Sequence, residues 1–492
     1  MATVQDPPNP AEPDTSELTA QRFRRMSGRG RGPRVPVDTS GLPPGPRLPV
    51  LVQSAAVLRF RHQFQPWLHR RYGDAFTVRL VPGGRPLVFF TRPEQAREIF
   101  AADPATFHAG KGNAILGPVM GEHSLLLQDG AEHQRARKLL MPAFHGQALR
   151  GYRGLVADLA RDEVAHWATG VPFRSLDRMN ALTLEVILRV VFGVTDADRL
   201  AALRPRVNAT VDISPAILLG WGYPRLQRFG PWKRTVDNQR ELDRLMYAEI
   251  RERRRAPDLA ARTDVLSRLI GQGEEGAPEE RLSDTELRQQ LSDTELRQQL
   301  SDTELRDQLV TLLLAGHETT ATALAWALYE LGRDRALLRR TQEAADAADE
   351  AEGDAWLEAV LKESMRLHPV IPMVVRTLMS PATIGGWELP AGTSVGASIL
   401  LAHRSPESYP EPAAFRPERF LGSSPPPNSW IPFGGGVRRC LGAGFAQMEG
   451  VAVLREVLTA YDVAAVGADR PKVRNITSVP REGARIRVTA RG

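Results

Sequence analysis

The chain has 492 residues and one cysteine, Cys440. A single thiol excludes an internal disulfide, and it excludes thiolate zinc sites and iron–sulfur clusters, which draw on several cysteines. A reducing cytoplasm is the setting expected for such a chain. Long apolar runs are also missing: no stretch reaches the roughly 18 residues that a membrane span requires. The amino-terminal region lacks the apolar centre of a secretory signal, so the chain is expected neither to span a membrane nor to be exported. No flavin or nicotinamide fingerprint is present.

Charge of one sign is scarce too. The net charge is +6, and Arg and Glu are interspersed rather than gathered, which gives nucleic-acid binding little support. The exception is the head of the chain, where Arg22, Arg24, Arg25, Arg29, Arg31 and Arg34 crowd among Gly and Pro. Residues 1–40 are read as a flexible, basic, Pro-rich tail, with a weak contact to an anionic surface as the alternative.

What is present fits a large globular protein. Apolar residues make up 42% and charged residues 25% of the chain, an ordinary soluble composition. Leu42-Pro43-Pro44-Gly45-Pro46 forms a stiff connector into the folded body. Two β-rich runs follow, Ala75 to Leu80 and Pro86 to Thr91, joined across Val81–Arg85 as a hairpin. Apolar residues at helical spacing then run through about 147–168, 179–193, 237–255, 301–332, 354–367 and 441–460. Strand-like pieces return at Thr383 to Pro390, Ser394 to Ile399 and Ala484 to Thr489, so a small sheet is expected to draw on both ends of the chain. The fold class is mainly α with small β-sheets: one large helical domain over 41–492 with a minor β region.

A nine-residue unit, S-D-T-E-L-R-Q-Q-L, stands at Ser283–Leu291 and again at Ser292–Leu300; a third copy, Ser301–Leu309, differs only at Asp307. Nine residues at 100° each turn a helix by an odd number of half-turns, so successive copies would present their leucines on opposite faces. Each copy carries a capping box, but only the third leads into an apolar run. The long helix is therefore expected to start at Ser301 with Glu304, and 283–300 to be an exposed insertion.

The chemistry gathers around Cys440. Phe433-Gly434-Gly435-Gly436-Val437-Arg438-Arg439-Cys440-Leu441-Gly442 places the cysteine in a glycine-rich loop ahead of an apolar helix. Backbone N–H groups and the positive helix end are expected to favour the thiolate, the metal-binding form. Gly436 and Gly442 are expected to supply φ freedom and to admit a flat ligand. A lone cysteine is by default an inert buried residue; the loop around this one reverses that expectation, because Phe433, Gly436, Arg438, Cys440 and Gly442 together resemble the haem-binding loop of the cytochrome P-450 superfamily.

That resemblance spans roughly 40–492, with its motifs in family order. It implies a cytochrome P-450 fold, haem b as cofactor and Cys440 as the iron ligand. Ala315-Gly316-His317-Glu318-Thr319-Thr320 resembles the stretch that passes over the distal haem face, with Glu318 and Thr319 as the acid–alcohol pair that supplies protons. His317 occupies a variable slot and receives no role. Glu363 and Arg366, with Arg419, match the family's structural charge network. His133, Arg137, Arg376 and Arg438 match propionate partners. Histidine at 133, where many members carry tryptophan, and the repeat at 283–300 are departures from the pattern.

The implied activity is insertion of one oxygen atom from O2 into an apolar small molecule: a fatty acid, terpenoid, steroid or polyketide. Electrons from NAD(P)H would arrive through a separate ferredoxin and ferredoxin reductase, with Arg135, Lys138, Lys362 and Arg439 steering the carrier. Substrate contacts are expected from 107–128, 210–232, Ala315, Thr319, Val370 to Val374 and the turn near Val479. Ile213, Ile217, Leu218, Leu219, Trp221 and Tyr223 form either an apolar lid or ordinary core. A monomer is expected. A peroxide-using or isomerising relative usually lacks the acid–alcohol pair; a non-enzymatic haem protein would share the cysteine loop.

Overall fold

The computed structural model describes residues 37–194, 196–211, 213, 217, 225–271, 300–422 and 425–491. The basic tail before Val37, the repeat copies before Leu300, and Leu218, Leu219, Trp221 and Tyr223 lie outside them.

Helices of seven or more residues, in chain order, are α1 (Val50–Arg59), α2 (Arg61–Tyr72), α3 (Pro93–Ala101), α4 (Gly130–Leu140), α5 (Gly146–Ala165), α6 (Ser175–Phe192), α7 (Ala197–Val211), α8 (Gly230–Arg254), α9 (Val265–Gly271), α10 (Asp302–Leu331), α11 (Arg335–Ala345), α12 (Glu350–Leu367) and α13 (Ala443–Ala460). The long helix α10 starts where its cap dictates. Ser301 accepts from the Glu304 backbone N–H at 3.2 Å, and Glu304 reaches back to the Ser301 N–H at 2.9 Å, the reciprocal capping box.

α10 is buried through most of its 30 residues and packs closely on α6. A Cβ on Gly316 would lie 2.8 Å from Ile187 Cδ1, and Thr183 Oγ1 donates to His317 O at 2.9 Å. Around this pair, α4, α5, α12 and α13 contribute to one continuous apolar core.

The sheets correct an expectation. The main sheet has five strands in the order Ala75–Leu80, Arg85–Phe90, Ser394–Ala397, Val374–Leu378, Phe107–His108. Its one parallel contact joins Arg85–Phe90 to Ser394–Ala397. The last strand, Arg485–Ala490, does not join the amino-terminal strands; it pairs with Tyr461–Ala465 and Phe173–Arg174. The run 383–390 is a hairpin, Ala382–Ile384 with Trp387–Leu389, turning at Gly385 and Gly386 with φ of 54° and 80°. Two consecutive positive φ values match the right-handed twist of the strands they join.

Among the described residues no helix is long and apolar enough to cross a membrane.

Candidate active site

The loop before α13 curls back on itself. Cys440 N–H donates to Phe433 O at 2.9 Å, and Arg439 N–H to Gly436 O at 2.9 Å. Its glycines are demanded by a neighbour. A Cβ on Gly436, whose φ is 61°, would sit 1.9 Å from Phe100 O, and one on Gly435 would sit 2.5 Å from the Phe100 ring. The close approach expected of Gly436 is thus to α3. Gly442 has φ −86° and nothing within 4 Å of a built Cβ, so it uses no special freedom; it opens α13.

Burial pushes the Cys440 thiol up, against the Gly442 N–H, Arg137 and Arg439, which act to lower it. In the protein alone, desolvation thus works against the donors that the loop supplies. Coordination to a metal would displace that proton.

Cys440 nevertheless exposes surface, and so does Ala315, in the middle of α10, with Leu313, His317, Glu318 and Thr320 buried around it. A side chain exposed mid-way along a buried helix faces a hollow. Thr319 is half-exposed beside it, and its hydroxyl donates to Ala315 O at 2.7 Å. α10 runs unbroken through this point, with the hydroxyl bonded back to a carbonyl one turn earlier.

Glu318 turns away from Thr319 toward the hairpin at 471–480. One oxygen stands 3.2 Å from Arg474 Nη1, and the other accepts from Thr477 Oγ1 at 3.2 Å. His317 is buried and held neutral, its pKa pushed down to about 4 by desolvation and by Arg474, as suits a residue with no assigned role.

His133, Arg376 and Arg438 line one cavity together with Phe100, Asp129 and Gly435. Burial, then Arg438, Arg137 and Arg376, push His133 down to about 3. Burial, then Arg438, push Arg376 down to about 10, and Asp129 opposes them. Arg438 pairs with Asp129 at 2.6 Å and donates to Leu125 O at 3.0 Å. Two arginines and a neutral histidine thus gather around one carboxylate, the composition expected of a cradle for further anionic groups. Arg137 does something else: its Nη1 donates to Arg439 O at 2.8 Å, holding the cysteine loop.

Glu363 and Arg366 are fully buried and bidentate, at 2.6 and 2.8 Å. Arg419 adds a contact at 3.3 Å. The remaining Arg366 N–H groups donate to His403 O, Pro412 O and Ala414 O, and His403 Nε2 accepts from Ile431 N–H at 2.8 Å. This network pins the chain leading into the cysteine loop.

Two further arrangements were not expected. The first turns of α10 grip the segment 117–128: Asp307 accepts from His123 N–H at 3.0 Å, Gln308 from Leu125 N–H at 3.1 Å, and Thr311 Oγ1 donates to Ser124 Oγ at 2.7 Å. Arg306, fully buried, pairs with Asp243 at 2.6 Å and Asp307 at 2.9 Å. The one residue that sets the third repeat copy apart, Asp307, is a member of this grip. The second is Glu449 on α13, buried beside Thr320, its pKa pushed up to about 8 by desolvation against the pull of that hydroxyl. A glutamate on a helix is surface by default, so only the apolar residues around it could have hinted at burial.

Ile213 is buried with Val119 and Val236, and Ile217, Trp232 and Leu314 pack against them. Val479 is wholly buried in the core. Among the cations expected to steer an electron carrier, Arg135 is engaged by Glu304 at 2.8 Å and Lys362 by Glu358 at 2.8 Å.

The cytochrome P450 family model matches residues 42–487. The chain belongs to the cytochrome P450 family. Cytochrome P450 135A1 of Mycobacterium tuberculosis is 53% identical over 453 residues, covering 92% of this chain and 96% of the relative. Cytochrome P450 135B1 of Mycobacterium bovis is 40% identical over 457 residues, covering 92% of each. Among solved structures, a cyanobacterial cytochrome P450 bound to retinoic acid superposes with a TM-score of 0.77 at 24% identity, over 92% of this chain and 99% of that one. This P450 is accordingly a haem-dependent monooxygenase that uses O2 and redox partners. Its residues suit haem b: Cys440 is free and exposed, and the cavity lined by His133, Arg376 and Arg438 offers propionates a cationic cradle.

Proposed function

We propose that Cys440 is the axial ligand of the haem iron and that this P450 inserts one oxygen atom into an apolar small molecule, with electrons from NAD(P)H delivered by a ferredoxin and its reductase. The observation that carries this reading is the exposed sulfur of Cys440, held at the end of a loop that Phe433, Arg137 and Phe100 keep in shape. A thiolate-held haem supplies activation of dioxygen; the protein supplies position, dryness and protons.

His133, Arg376 and Arg438 bind the propionates, with Arg137 acting through the loop. Phe433, Gly436 and Gly442 shape the loop, and Ala315 and Gly316 let α10 lie flat beside the cofactor. Thr319 would hold a proton at its hydroxyl for the dioxygen chemistry that a bound haem would supply. Glu318 would be the acid behind it, taking up a proton from solvent and swinging from Arg474 and Thr477 to pass it to that hydroxyl. Glu363, Arg366 and Arg419 are structural.

The substrate is apolar: Val119, Ile213 and Val236 cluster with Leu314, the residue before Ala315, packed against them. A fatty acid, terpenoid, steroid or polyketide fits that chemistry. With no nucleotide fingerprint in the chain, electrons come from another protein, and Lys138 and Arg439 are the cations to test as its landing point. The chain acts as a monomer in the cytoplasm, with 41–492 as one catalytic unit and 283–300 as an appendage.

The test of the ligand is Cys440→Ala. The carbon monoxide complex of the reduced variant should lose the absorption band diagnostic of a thiolate bond, and retention of that band refutes the assignment. Charge reversal at Lys138 and Arg439 should slow ferredoxin-driven turnover and spare peroxide-driven turnover; equal losses count against the docking site. Screening compounds for a ferric Soret shift identifies the substrate class.

A further inference from the structure

The first two helices bury Val57 and Leu68 in the core, but much of the rest of each is inverted. In α1 the polar residues Gln53 and Ser54 are buried and bonded inward: Gln53 donates to Leu48 O at 2.7 Å and accepts from Arg79 N–H at 2.8 Å, while Ser54 Oγ accepts from Val81 N–H at 3.0 Å. Leu51 and Val52 face out, 72% and 48% exposed. α2 repeats the inversion. Arg61 and Gln65 are buried, whereas Phe60 just before the helix and Trp67 within it are 57% and 40% exposed. An ordinary surface helix turns its apolar stripe to the core, and single exposed apolar residues need no account; a group of them on helices whose polar residues point inward does.

The group is contiguous. Arg61 donates to Asn475 O at 3.0 Å and to Ile476 O at 3.1 Å, which sets the exposed Ile476, at the tip of the 471–480 hairpin, beside Phe60. Trp67 stacks on Phe64 with ring centres 5.7 Å apart. Around this surface the charge has one sign. From Thr39 to Gly73 there is no Asp or Glu, while Arg47, Arg59, Arg61, Arg70 and Arg71 fall within it. Asp74, next in the chain, is already paired with His69 and Arg92.

We propose that this face docks on the surface of an anionic lipid bilayer. Leu48, Leu51, Val52, Phe60, Trp67 and Ile476 enter the headgroup boundary, and the exposed Arg47, Arg59, Arg70 and Arg71 meet lipid phosphates. Attachment is peripheral, since no described helix is apolar enough to span. A second copy of the chain is a poor occupant, because two basic faces repel. Residues 1–36 are a poor cover for the same reason: the six arginines between Arg22 and Arg34 carry the same sign.

The test uses full-length holoenzyme and sedimentation with vesicles of phosphatidylcholine, with or without about a third phosphatidylglycerol. Binding to the anionic vesicles should be about tenfold tighter or more, and should weaken by a similar factor in about 0.5 M salt. Leu51→Glu with Phe60→Glu should abolish it while the carbon monoxide spectrum and the melting temperature stay unchanged. Arg70→Glu with Arg71→Glu should remove the preference for anionic lipid. The proposal is overturned if the wild type stays in solution with anionic vesicles, or if the double glutamate variant binds as well as the wild type. It is equally overturned if sedimentation shows a dimer that the same variant breaks and that excludes vesicles.

Discussion

Two buried charge clusters in this P450 look alike in composition and differ in closure. Around Glu363, every guanidinium edge of Arg366 finds a carboxylate or a carbonyl of the protein itself. Around His133, Arg376 and Arg438, the protein supplies a single carboxylate, Asp129, and burial pushes both His133 and Arg376 toward losing their charge. A cluster that balances itself is scaffold. One left with surplus positive charge is a receptor, since buried cations without partners are tolerated only where an anion arrives to join them.

The widest gap between the two should appear on breaking the closed cluster. Glu363→Ala strands Arg366 in the core and should cost about 3–5 kcal/mol, read by denaturant unfolding; a loss below about 1 kcal/mol would place Glu363 outside the scaffold. Glu449 extends the contrast to a buried acid with no cation beside it. Its folded pKa, about 8, lies above the ordinary 4.5, so the folded state binds the proton more tightly and stability falls as pH rises through that window. Glu449→Gln should flatten the decline and stabilise the protein by roughly a few kcal/mol at pH 8, visible as a pH-independent melting temperature between the two values.

Smaller is the effect expected at the open cluster. Arg376→Ala should leave the haem-free protein as stable as the wild type or slightly more so, while haem dissociates about tenfold faster or more, the scale of one charge-assisted hydrogen bond. Transfer of haem to apomyoglobin measures that rate; a destabilised haem-free protein with unchanged haem release would make Arg376 scaffold as well. The mildest change is Asp307→Gln, which gives the third repeat copy the residue found in the other two. Arg306 keeps Asp243, so the cost should be about 1–2 kcal/mol, with faster proteolysis confined to 117–128; cleavage spread evenly over the chain would deny the grip.

What the sequence discloses depends on whether a residue's role is local. The Ser301–Glu304 cap, the cysteine loop and the E-x-x-R pair are short patterns with short-range consequences, and the structure has them where the pattern puts them. α1 and α2 were illegible because most of their buried positions are polar, with only Val57 and Leu68 apolar among them, so the periodicity that marks a helix pointed nowhere. The sheet order, and with it the company kept by Arg485–Ala490, depends on pairing between distant segments. At the site, the family resemblance pairs Glu318 with Thr319, and the structure turns their side chains to different neighbours. The resemblance also sets Arg137 among the propionate partners, and the structure adds a hydrogen bond from it to the cysteine loop. Burial, which is a property of the whole fold, opposes the local donors at Cys440.

The grip of α10 on the segment 117–128 has one further consequence. Every contact that fixes the rotation of the helix, from Arg306 to Thr311, lies downstream of Ser301, and each nine-residue unit brings its own serine cap. Lengthening or shortening the chain upstream by whole units therefore hands the helix the same starting signal and leaves its rotation untouched. Asp307, present in a single copy, tells the folding chain which of three equivalent beginnings is the right one.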